Sequence, residues 1–214
     1  MSNVEEDLGR RTYSSPPCYL GEFSYEPLRV GDPDTVAAWR KAVRERLLAE
    51  RLALPVEERS IRSARIVRRL EQEIGDPEGK TVGSYWPVRG EPDLRSWAIG
   101  IVERGGRLAL PVVIAKGSPL EYRLWMPGDP LERGVWNILV PAHGAAVLPD
   151  IVVAPLVGYD PHKFRLGYGG GFFDRTLAAM PSKPCVIGIG YGETRIPTIY
   201  PQPHDIPMDL LITE

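Results

Sequence analysis

Two short segments of the chain are apolar at every position, which restricts how they can fold. They read IVVAPLV over residues 151–157 and CVIGIG over residues 185–190. A strand with one face in water alternates apolar and polar residues, whereas a strand of a parallel sheet is covered on both faces and lacks that alternation. These segments therefore predict strands that are buried on both faces of a parallel sheet.

Further short β-type runs are bounded by Gly, Pro or Asp, and helical patterns lie between them. The additional strand-like runs are KTVGSYWPV, GRLALPVVI, LEYRLWM and DLLIT. The segments PDLRSWAIGIVERGG and FFDRTLAAM have the pattern of helices between strands. This alternation predicts a single α/β domain, with a three-layer, mostly parallel, Rossmann-like sheet that carries helices on both faces.

Two longer helices are predicted before the first strand. Residues 35–54 place apolar side chains at helical spacing, and Asp34 and Thr35 are candidate N-caps. A second helix is predicted after Pro55. Its expected inner face consists of Ile61, Ala64, Ile66, Val67, Leu70 and Ile74.

The first 34 residues differ in character from the rest of the chain. They are rich in Pro, Ser, Gly and charged residues and show no sustained periodicity. This composition predicts a loosely ordered extension over residues 1–34. The remaining residues, 35–214, suffice for one good-sized α/β domain.

Charge and composition argue against several classes of partner and location. A formal net charge of −2 provides no whole-molecule attraction to nucleic acid or to a membrane. No apolar run approaches the ~18 residues of a membrane span, and the N-terminus lacks the apolar core of a secretory signal. Cys18 and Cys185 are expected to be reduced thiols in a cytoplasmic protein, with a single disulfide as the alternative.

The glycine-rich stretch RLGYGGGFFDR, residues 165–175, is the strongest indication of a binding site. It is expected between a buried strand and a helix, where ligands of such sheets bind. Glycines at 167, 169, 170 and 171 permit positive φ, so backbone N–H groups can converge beside the positive end of the helix dipole. The stretch matches neither G-x-x-x-x-G-K-S/T nor G-x-G-x-x-G, and a flexible hinge is the structural alternative. Arg165 before the glycines and Asp174 after them favour phosphate binding.

Two carboxylates near this stretch are candidate magnesium ligands. Mg²⁺ in proteins takes one or two carboxylates together with phosphate oxygens and waters. Asp174 is expected one turn into the helix, where it could equally complement the helix dipole. A second acid is available in PHDIPMDLLITE, and Asp205 in its Pro-flanked loop is favoured over Asp209 at the start of a strand.

The first helix carries a basic run that includes Arg40, Lys41, Arg44, Arg46 and Arg51. A solvated basic face is the usual explanation of such a run. Arg40 and Arg44 are four residues apart and share a helix face, from which two guanidinium groups could clamp a phosphate tail.

Aromatic residues next to an acid indicate a site for a flat ring. In SYWPVRGEPD, Trp86 and Glu91 could bind a flat heterocycle by stacking and by charge-assisted hydrogen bonds, and a strand-end turn is the alternative. Trp136 is a stacking platform or a core anchor. No G-x-S-x-G motif is present, and neither cysteine has a base nearby in sequence, so nucleophilic catalysis has no visible support.

The stretch PLVGYDPHKFRLGYGGGFFDRTL resembles the signature of the 5-formyltetrahydrofolate cyclo-ligases, also called methenyltetrahydrofolate synthetases. The resemblance runs from Trp39 to the end of the chain, through RKAVR, PVEERS, SYWPVRGEPD, RLALPVV, EYRLWM, VWNILVP and HDIPMD in the order of that family. It implies an enzyme that uses ATP and Mg²⁺ to convert 5-formyltetrahydrofolate into 5,10-methenyltetrahydrofolate, with release of ADP and phosphate. A monomer or homodimer with no nucleic acid or membrane partner is expected.

The resemblance also implies roles for individual residues. The expected ATP contacts are Arg40, Lys41, Arg44, Arg165, Gly167, Gly169, Gly170, Gly171 and Phe173. The expected substrate contacts are Trp86, Glu91, Trp136, Tyr168, Gly169, Gly170 and Phe172. Asp174 and Asp205 match the magnesium ligands, and Arg165 and Tyr168 are the expected catalytic residues.

Some positions depart from the family pattern. Arg40 stands where lysine is common, Phe173 where an aromatic hydroxyl is common, and Tyr168 and Gly170 where some members carry basic residues. The lack of basic side chains at positions 168 and 170 shifts the expected phosphate contacts towards backbone N–H groups. The N-terminal extension leaves room for a paralogue with a changed substrate. The two alternative functions are a non-catalytic folate- or nucleotide-binding paralogue, and a phosphotransferase that acts on another small molecule.

Overall fold

The computed structural model describes residues 33–214, so the predicted extension lies outside it except for Pro33 and Asp34. The helices of this part are α1 (Pro33–Ala53), α2 (Val56–Ile74), α3 (Arg95–Glu103) and α4 (Phe172–Ala179). The strands are β1 (Thr81–Gly83), β2 (Arg107–Val113), β3 (Leu120–Leu124), β4 (Leu131–Arg133), β5 (Leu139–Pro141), β6 (Ala146–Val147), β7 (Ile151–Pro155), β8 (Gly158–Tyr159), β9 (Arg165–Leu166), β10 (Cys185–Ile189) and β11 (Leu210–Ile212).

The central sheet has seven strands in the order β11-β10-β7-β1-β2-β3-β6. Strands β11, β10, β7, β1 and β2 run parallel to one another, whereas β3 is antiparallel to both β2 and β6. The predicted α/β class and mostly parallel sheet are confirmed. β4 pairs with β5, and β8 pairs with β9, in two small antiparallel ribbons outside this sheet.

Side chains on β7 show how the layers are built. Val153 packs with Ile66 of α2 and Ile101 of α3 in one buried cluster. Its neighbour Val152 points the opposite way and packs with Leu177 of α4 in a second cluster. Because both faces of β7 are covered, the strand needs apolar side chains at every position, as its sequence indicated.

Helix α1 lies against neither face of the sheet. Its buried residues Val43 and Leu47 pack with Val157, Leu166 and Ile199. Those partners belong to segments that follow β7 in the chain. Helix α1 therefore covers the connections beyond the carboxyl end of a central strand.

The strand order reverses between β1 and β7. From β1 the chain continues through α3 to β2, β3 and β6 on one side, then returns to place β7, β10 and β11 on the other side. In open α/β sheets, loops that leave the carboxyl ends of strands at such a reversal diverge and form a crevice. The loops that follow β1 and β7 therefore border the expected ligand crevice.

Several local predictions need correction. Strand β1 ends at Gly83, so most of KTVGSYWPV is a loop. Asp34 and Thr35 lie in the first turn of α1 rather than at its N-cap. Ile61 and Ala64 of α2 are exposed, because the buried stripe of this helix is narrower than the apolar pattern suggested. The strands β4, β5, β6 and β9 were not predicted, since two or three residues are too few to show a period.

No helix within residues 33–214 is long and apolar enough to cross a bilayer. Cys185 is an exposed free thiol, and Cys18 lies outside the described residues.

Ile66 and Ile61 of α2 allow a matched test of this packing, because Ile66 is 0% exposed and Ile61 is 50% exposed. We expect Ile66→Ala to lower the free energy of unfolding by about 2–5 kcal/mol, because it leaves a cavity against the sheet. Ile61→Ala should change it by about 0.5 kcal/mol or less. Urea unfolding monitored by circular dichroism measures both, and equal losses would contradict the described helix orientation.

Candidate active site

The segment between β1 and α3 meets the segment between β9 and α4 through a hydrogen bond between two side chains. The Tyr168 hydroxyl donates to Glu91 Oε1 at 2.9 Å. The backbone N–H of Val88 donates to Glu91 Oε2 at 2.8 Å. Glu91 is only 6% exposed, so both carboxylate oxygens are held inside the crevice. The structure thus joins the predicted heterocycle-binding acid to the glycine stretch.

The glycine stretch adopts a conformation that depends on two of its glycines. Gly169 has φ of +92°, and Gly171 has φ of +62° at the position before α4. The expected positive φ is not found at Gly167 or Gly170. A Cβ atom at Gly170 would instead lie 2.7 Å from the Phe172 ring, so this glycine permits a close approach.

Arg44 of α1 contacts the glycine stretch directly. Its Nε donates to the Gly167 carbonyl oxygen at 2.6 Å. A Cβ atom on Gly169 would lie 3.2 Å from the Arg44 guanidinium carbon. Burial, and then the charge of Arg40, lower the pKa of Arg44 from its ordinary value. The guanidinium is thus partly desolvated beside the expected phosphate loop.

Arg40 and Asp205 form an ion pair. Arg40 Nη1 lies 3.2 Å from Asp205 Oδ1, and Nη2 bonds to Oδ2. The same guanidinium donates to the carbonyl oxygens of Ile199 and Tyr200, each at 2.9 Å. Burial alone would raise the pKa of Asp205, but the hydrogen bonds from Arg40 and from the Gln202 N–H outweigh it and lower that pKa. Asp205 is therefore held as a carboxylate.

A second ion pair lies next to the first. Arg165 Nη2 donates to Asp174 Oδ2 at 3.0 Å, and the Ile206 N–H donates to Asp174 Oδ1 at 3.2 Å. Because Ile206 follows Asp205, the two predicted magnesium ligands belong to adjoining segments. The structure brings Arg40, Arg165 and both acids together.

The donor set suits an anionic ligand and a magnesium ion. Arg165 is buried, which lowers its pKa, and its Nη1 has no hydrogen-bond partner within residues 33–214. A buried donor without a partner is costly, so a phosphate oxygen at Nη1 would be stabilising.

Residues 33–214 contain no cluster of three or more His, Cys, Asp or Glu that could hold a metal. Two carboxylates beside a phosphate site are nevertheless sufficient for Mg²⁺.

Lys41 is the predicted ATP contact that the structure does not bring to this cluster. Its side chain is exposed, and its Nζ lies 4.0 Å from Glu45 Oε1 on the same helix. The role of Lys41 in ATP binding stays a prediction.

A cavity of about 280 Å³ lies beside Glu91 and Trp86 and extends to the start of α2. The Trp86 ring packs edge-on against Trp125 with centroids 6.0 Å apart, and the Arg95 guanidinium lies 5.8 Å from its centroid. Burial raises the pKa of Glu91 to about 7, although its hydrogen bonds oppose that rise. A larger cavity of about 390 Å³ lies between β3, β6 and α4 and contains none of the predicted site residues.

Trp136 is a surface residue, which excludes the core-anchor interpretation. It is 66% exposed and has φ of +56° in the short 3₁₀ turn Val135–Asn137. Its ring meets the Phe172 ring edge-on with centroids 5.5 Å apart. The neighbouring Phe173 lies under the Arg165 guanidinium, 5.2 Å from the ring centroid. Trp136 and Phe172 thus present aromatic surface next to the glycine stretch.

Two buried polar residues of this region were missed in the sequence. Asp160 is 0% exposed, and its carboxylate accepts the backbone N–H groups of His162, Phe164 and Ile199. An Asp before Pro is typical of such turns, so YDPHKF contained the signal. Arg51 is buried and bonds to Tyr168, although it was grouped with a basic surface. Arg51 lies four residues after Leu47 and eight after Val43, so helical periodicity places it on the buried face of α1.

Fold and crevice together define a doubly wound α/β protein with a polar site at its strand-order reversal. The sequence model of the 5-formyltetrahydrofolate cyclo-ligase family matches residues 36–214. The chain therefore belongs to the 5-formyltetrahydrofolate cyclo-ligase family and is an enzyme of that family, which confirms the resemblance found in the sequence.

Individual relatives and solved structures agree with this assignment. The 5-formyltetrahydrofolate cyclo-ligase of Mycolicibacterium smegmatis is 30% identical over 143 residues, or 63% of this chain and 74% of that protein. The enzyme of the same name from Escherichia coli K12 is 34% identical over 141 residues, or 62% of this chain and 77% of that protein. The NMR structure of Aquifex aeolicus 5,10-methenyltetrahydrofolate synthetase has a TM-score of 0.70 at 26% identity, and covers 81% of this chain and 88% of that one.

The raised pKa of Glu91 predicts a pH-dependent stability. The carboxyl titrates near 7 when folded and near 4.5 when unfolded, so the folded state binds more protons between these values. Stability of the ligand-free protein therefore falls as pH rises from about 4.5 to 7, and the loss is complete above 7, on the order of 3 kcal/mol. Glu91→Gln lacks this titrating group, so its stability should not fall in this way. The unfolding free energy of the variant minus that of the native protein should therefore increase as pH rises from 5 to 8. Urea unfolding at several pH values measures the difference, and a constant difference would contradict the raised pKa.

Proposed function

We propose that this enzyme uses ATP and Mg²⁺ to convert 5-formyltetrahydrofolate into 5,10-methenyltetrahydrofolate, with release of ADP and phosphate. The observation that carries the proposal is the hydrogen bond between Tyr168 and Glu91. It places a buried carboxylate, which suits the ring N–H donors of a pterin, beside a glycine stretch that suits phosphates. A formyl group and a γ-phosphoryl group could therefore meet between the two loops.

The reaction needs activation of a poor electrophile. Transfer of the γ-phosphoryl group to the formyl oxygen gives a phosphorylated iminium intermediate and ADP. The N10 amine of the same molecule then attacks the formyl carbon and loses its proton, the C–O bond breaks and phosphate leaves. Attack within one molecule is fast because the reacting atoms are held together, and such chemistry needs positioning and charge neutralisation rather than a protein nucleophile.

The proposed phosphate contacts come from α1 and the glycine stretch. Arg44 lies against Gly167 and Gly169, Arg165 has a free buried donor, and Arg40 lies beside Asp205. Asp174 and Asp205 would hold Mg²⁺, which would supply neutralisation of phosphate charge there. Arginines outnumber acids in this cluster, so it remains positive overall and favours a polyphosphate.

The proposed folate contacts line the other side of the crevice. Glu91 would accept hydrogen bonds from the pterin ring, with Trp86 beside it. Tyr168 bonds to Glu91 and, with Arg165, is the proposed catalytic residue at the junction of the two ligands. Phe172 and Trp136 provide an aromatic edge next to the glycine stretch.

The purified protein with Mg²⁺, ATP and 5-formyltetrahydrofolate should produce the absorbance of methenyltetrahydrofolate. One ADP and one phosphate should appear for each molecule of product, because a single phosphoryl group activates each formyl oxygen. ATP hydrolysis with other small molecules but not with folate would indicate a phosphotransferase. Binding of folate without turnover would indicate a non-catalytic protein, and either result would contradict the proposal.

Asp174→Asn tests the proposed metal site. Removal of this carboxylate charge should raise the Mg²⁺ concentration for half-maximal turnover by about 10- to 100-fold, since carboxylates dominate magnesium binding. Asp209→Asn is the matched control, because Asp209 pairs with Lys183 and accepts the Val186 N–H instead. A magnesium titration of turnover, with thermal melting to confirm folding, compares the two. Equal shifts, or no shift in Asp174→Asn, would remove Asp174 from the metal site.

A further inference from the structure

Arg51 is a buried cation that contacts the glycine stretch and the end of β7. The residue is 2% exposed, although it lies in the last turn of α1, a helix rich in arginine. Its Nη2 donates to the carbonyl oxygen of Leu156, directly after β7. Its Nη1 lies 3.4 Å from the Tyr168 hydroxyl oxygen, and its Nε has no hydrogen-bond partner among the described residues. Burying a guanidinium with incomplete partners is costly, so a function for it is expected.

The contact between Arg51 and Tyr168 has a fixed direction. A guanidinium has five donors and no acceptor, so the Tyr168 oxygen accepts from Arg51. The Tyr168 hydrogen is then directed to Glu91 Oε1, 2.9 Å away. The chain of contacts runs from Arg51 through Tyr168 to Glu91, and it connects α1, the glycine stretch and the loop that follows β1.

Other ionisable groups around Glu91 are arranged differently. The Tyr85 and Tyr191 hydroxyls donate to the carbonyl oxygens of Pro92 and Gly90, at 2.8 and 3.1 Å. Arg89 is exposed, and its guanidinium carbon lies 5.7 Å from the centroid of the Tyr168 ring. Among the cations whose charge lowers the pKa of Glu91, Arg51 is buried and Arg89 is exposed. Arg59, Asp93 and Arg95 line the cavity beside Glu91.

We propose that Arg51 is a positioning residue for folate: it directs the Tyr168 hydroxyl to Glu91 and favours the carboxylate form of Glu91 that binds the pterin. This inference rests on the proposed function of Glu91. Arg51 acts through Tyr168 and Glu91, and it does not itself contact the reacting atoms.

The proposal has a consequence for pH dependence. Burial raises the pKa of Glu91 to about 7, while Val88, Tyr168, Arg51 and Arg89 lower it. Loss of the Arg51 charge removes one of these opposing effects, so the pKa of Glu91 rises further. The acid limb of kcat/KM for 5-formyltetrahydrofolate should then move to higher pH, because folate binding requires the carboxylate.

Arg51→Gln tests both parts of the proposal. We expect kcat/KM for folate to fall by about 10-fold, as for loss of a hydrogen bond that involves a charged group. The acid limb should rise by roughly one pH unit, within the range that one charge produces, while KM for ATP should change by less than about 2-fold. Arg46→Gln is the matched control on the same helix, because its Nη1 bonds to Glu50 Oε1 in an exposed ion pair. It should leave the acid limb and the KM for folate unchanged.

Arg51→Lys and Tyr168→Phe separate positioning from charge. Arg51→Lys keeps the cation, so the acid limb should stay in place, but kcat/KM for folate should fall because the contact with Tyr168 is lost. In a Tyr168→Phe background the same Arg51→Lys change should have little effect, since the group that Arg51 positions is already absent. If Arg51→Gln does not fold, this double-mutant cycle decides the question.

Three results would overturn the proposal: equal changes in the KM values for ATP and folate, an acid limb that does not move in folded Arg51→Gln, or full additivity in the double-mutant cycle.

Failure of the proposed function is distinguishable, because the native enzyme would then show no cyclisation at all. In that case the free protein still reports on Glu91. Arg51→Gln should lose more unfolding free energy than the native protein between pH 5 and pH 8, and an equal loss would overturn the effect of Arg51 on Glu91.

Discussion

The arrangement of this enzyme depends on the burial of β1 and β7 in the middle of the sheet. These strands pair with each other, and β7 is covered by α2 and α3 on one face and by α4 on the other. Polar side chains cannot find hydrogen-bond partners within such layers, so they are placed at the strand ends. Because the strand order reverses between β1 and β7, the loops at their carboxyl ends form a crevice. Helix α1 covers that crevice and supplies the arginines that meet the loops.

Two ion pairs lie inside the crevice. Asp205 is held by Arg40, and Asp174 by Arg165, so each half-buried carboxylate has a cation beside it. Such pairs satisfy charges that would otherwise be costly to bury, although they add little net stability. In the proposed function the same four side chains serve magnesium and phosphate. The arginines that bond to these acids in the free protein are therefore also suited to the charge of the nucleotide.

Glu91 and Arg51 are less completely satisfied than these pairs. Glu91 is buried with a raised pKa, and Arg51 leaves its Nε without a partner in the described part of the chain. Both features oppose stability of the ligand-free protein. Unfavourable burial of this kind is concentrated at functional sites, where the missing partner is a ligand. A pterin that donates hydrogen bonds to Glu91 would supply such a partner.

The sequence by itself determined the α/β class, the principal helices and the location of the glycine stretch, because hydrophobic period and glycine content are local properties. It also indicated Glu91, Asp174 and Asp205, first from the residues that flank them and then through a family resemblance. It could not show that β1 has only three residues, since a buried loop and a buried strand have similar composition. It also placed Arg51 on a solvated face, because a charged residue is buried only when distant groups surround it. Only the tertiary structure decided that Arg51, Tyr168 and Glu91 meet, since strand order and helix packing bring together residues 77 to 117 positions apart.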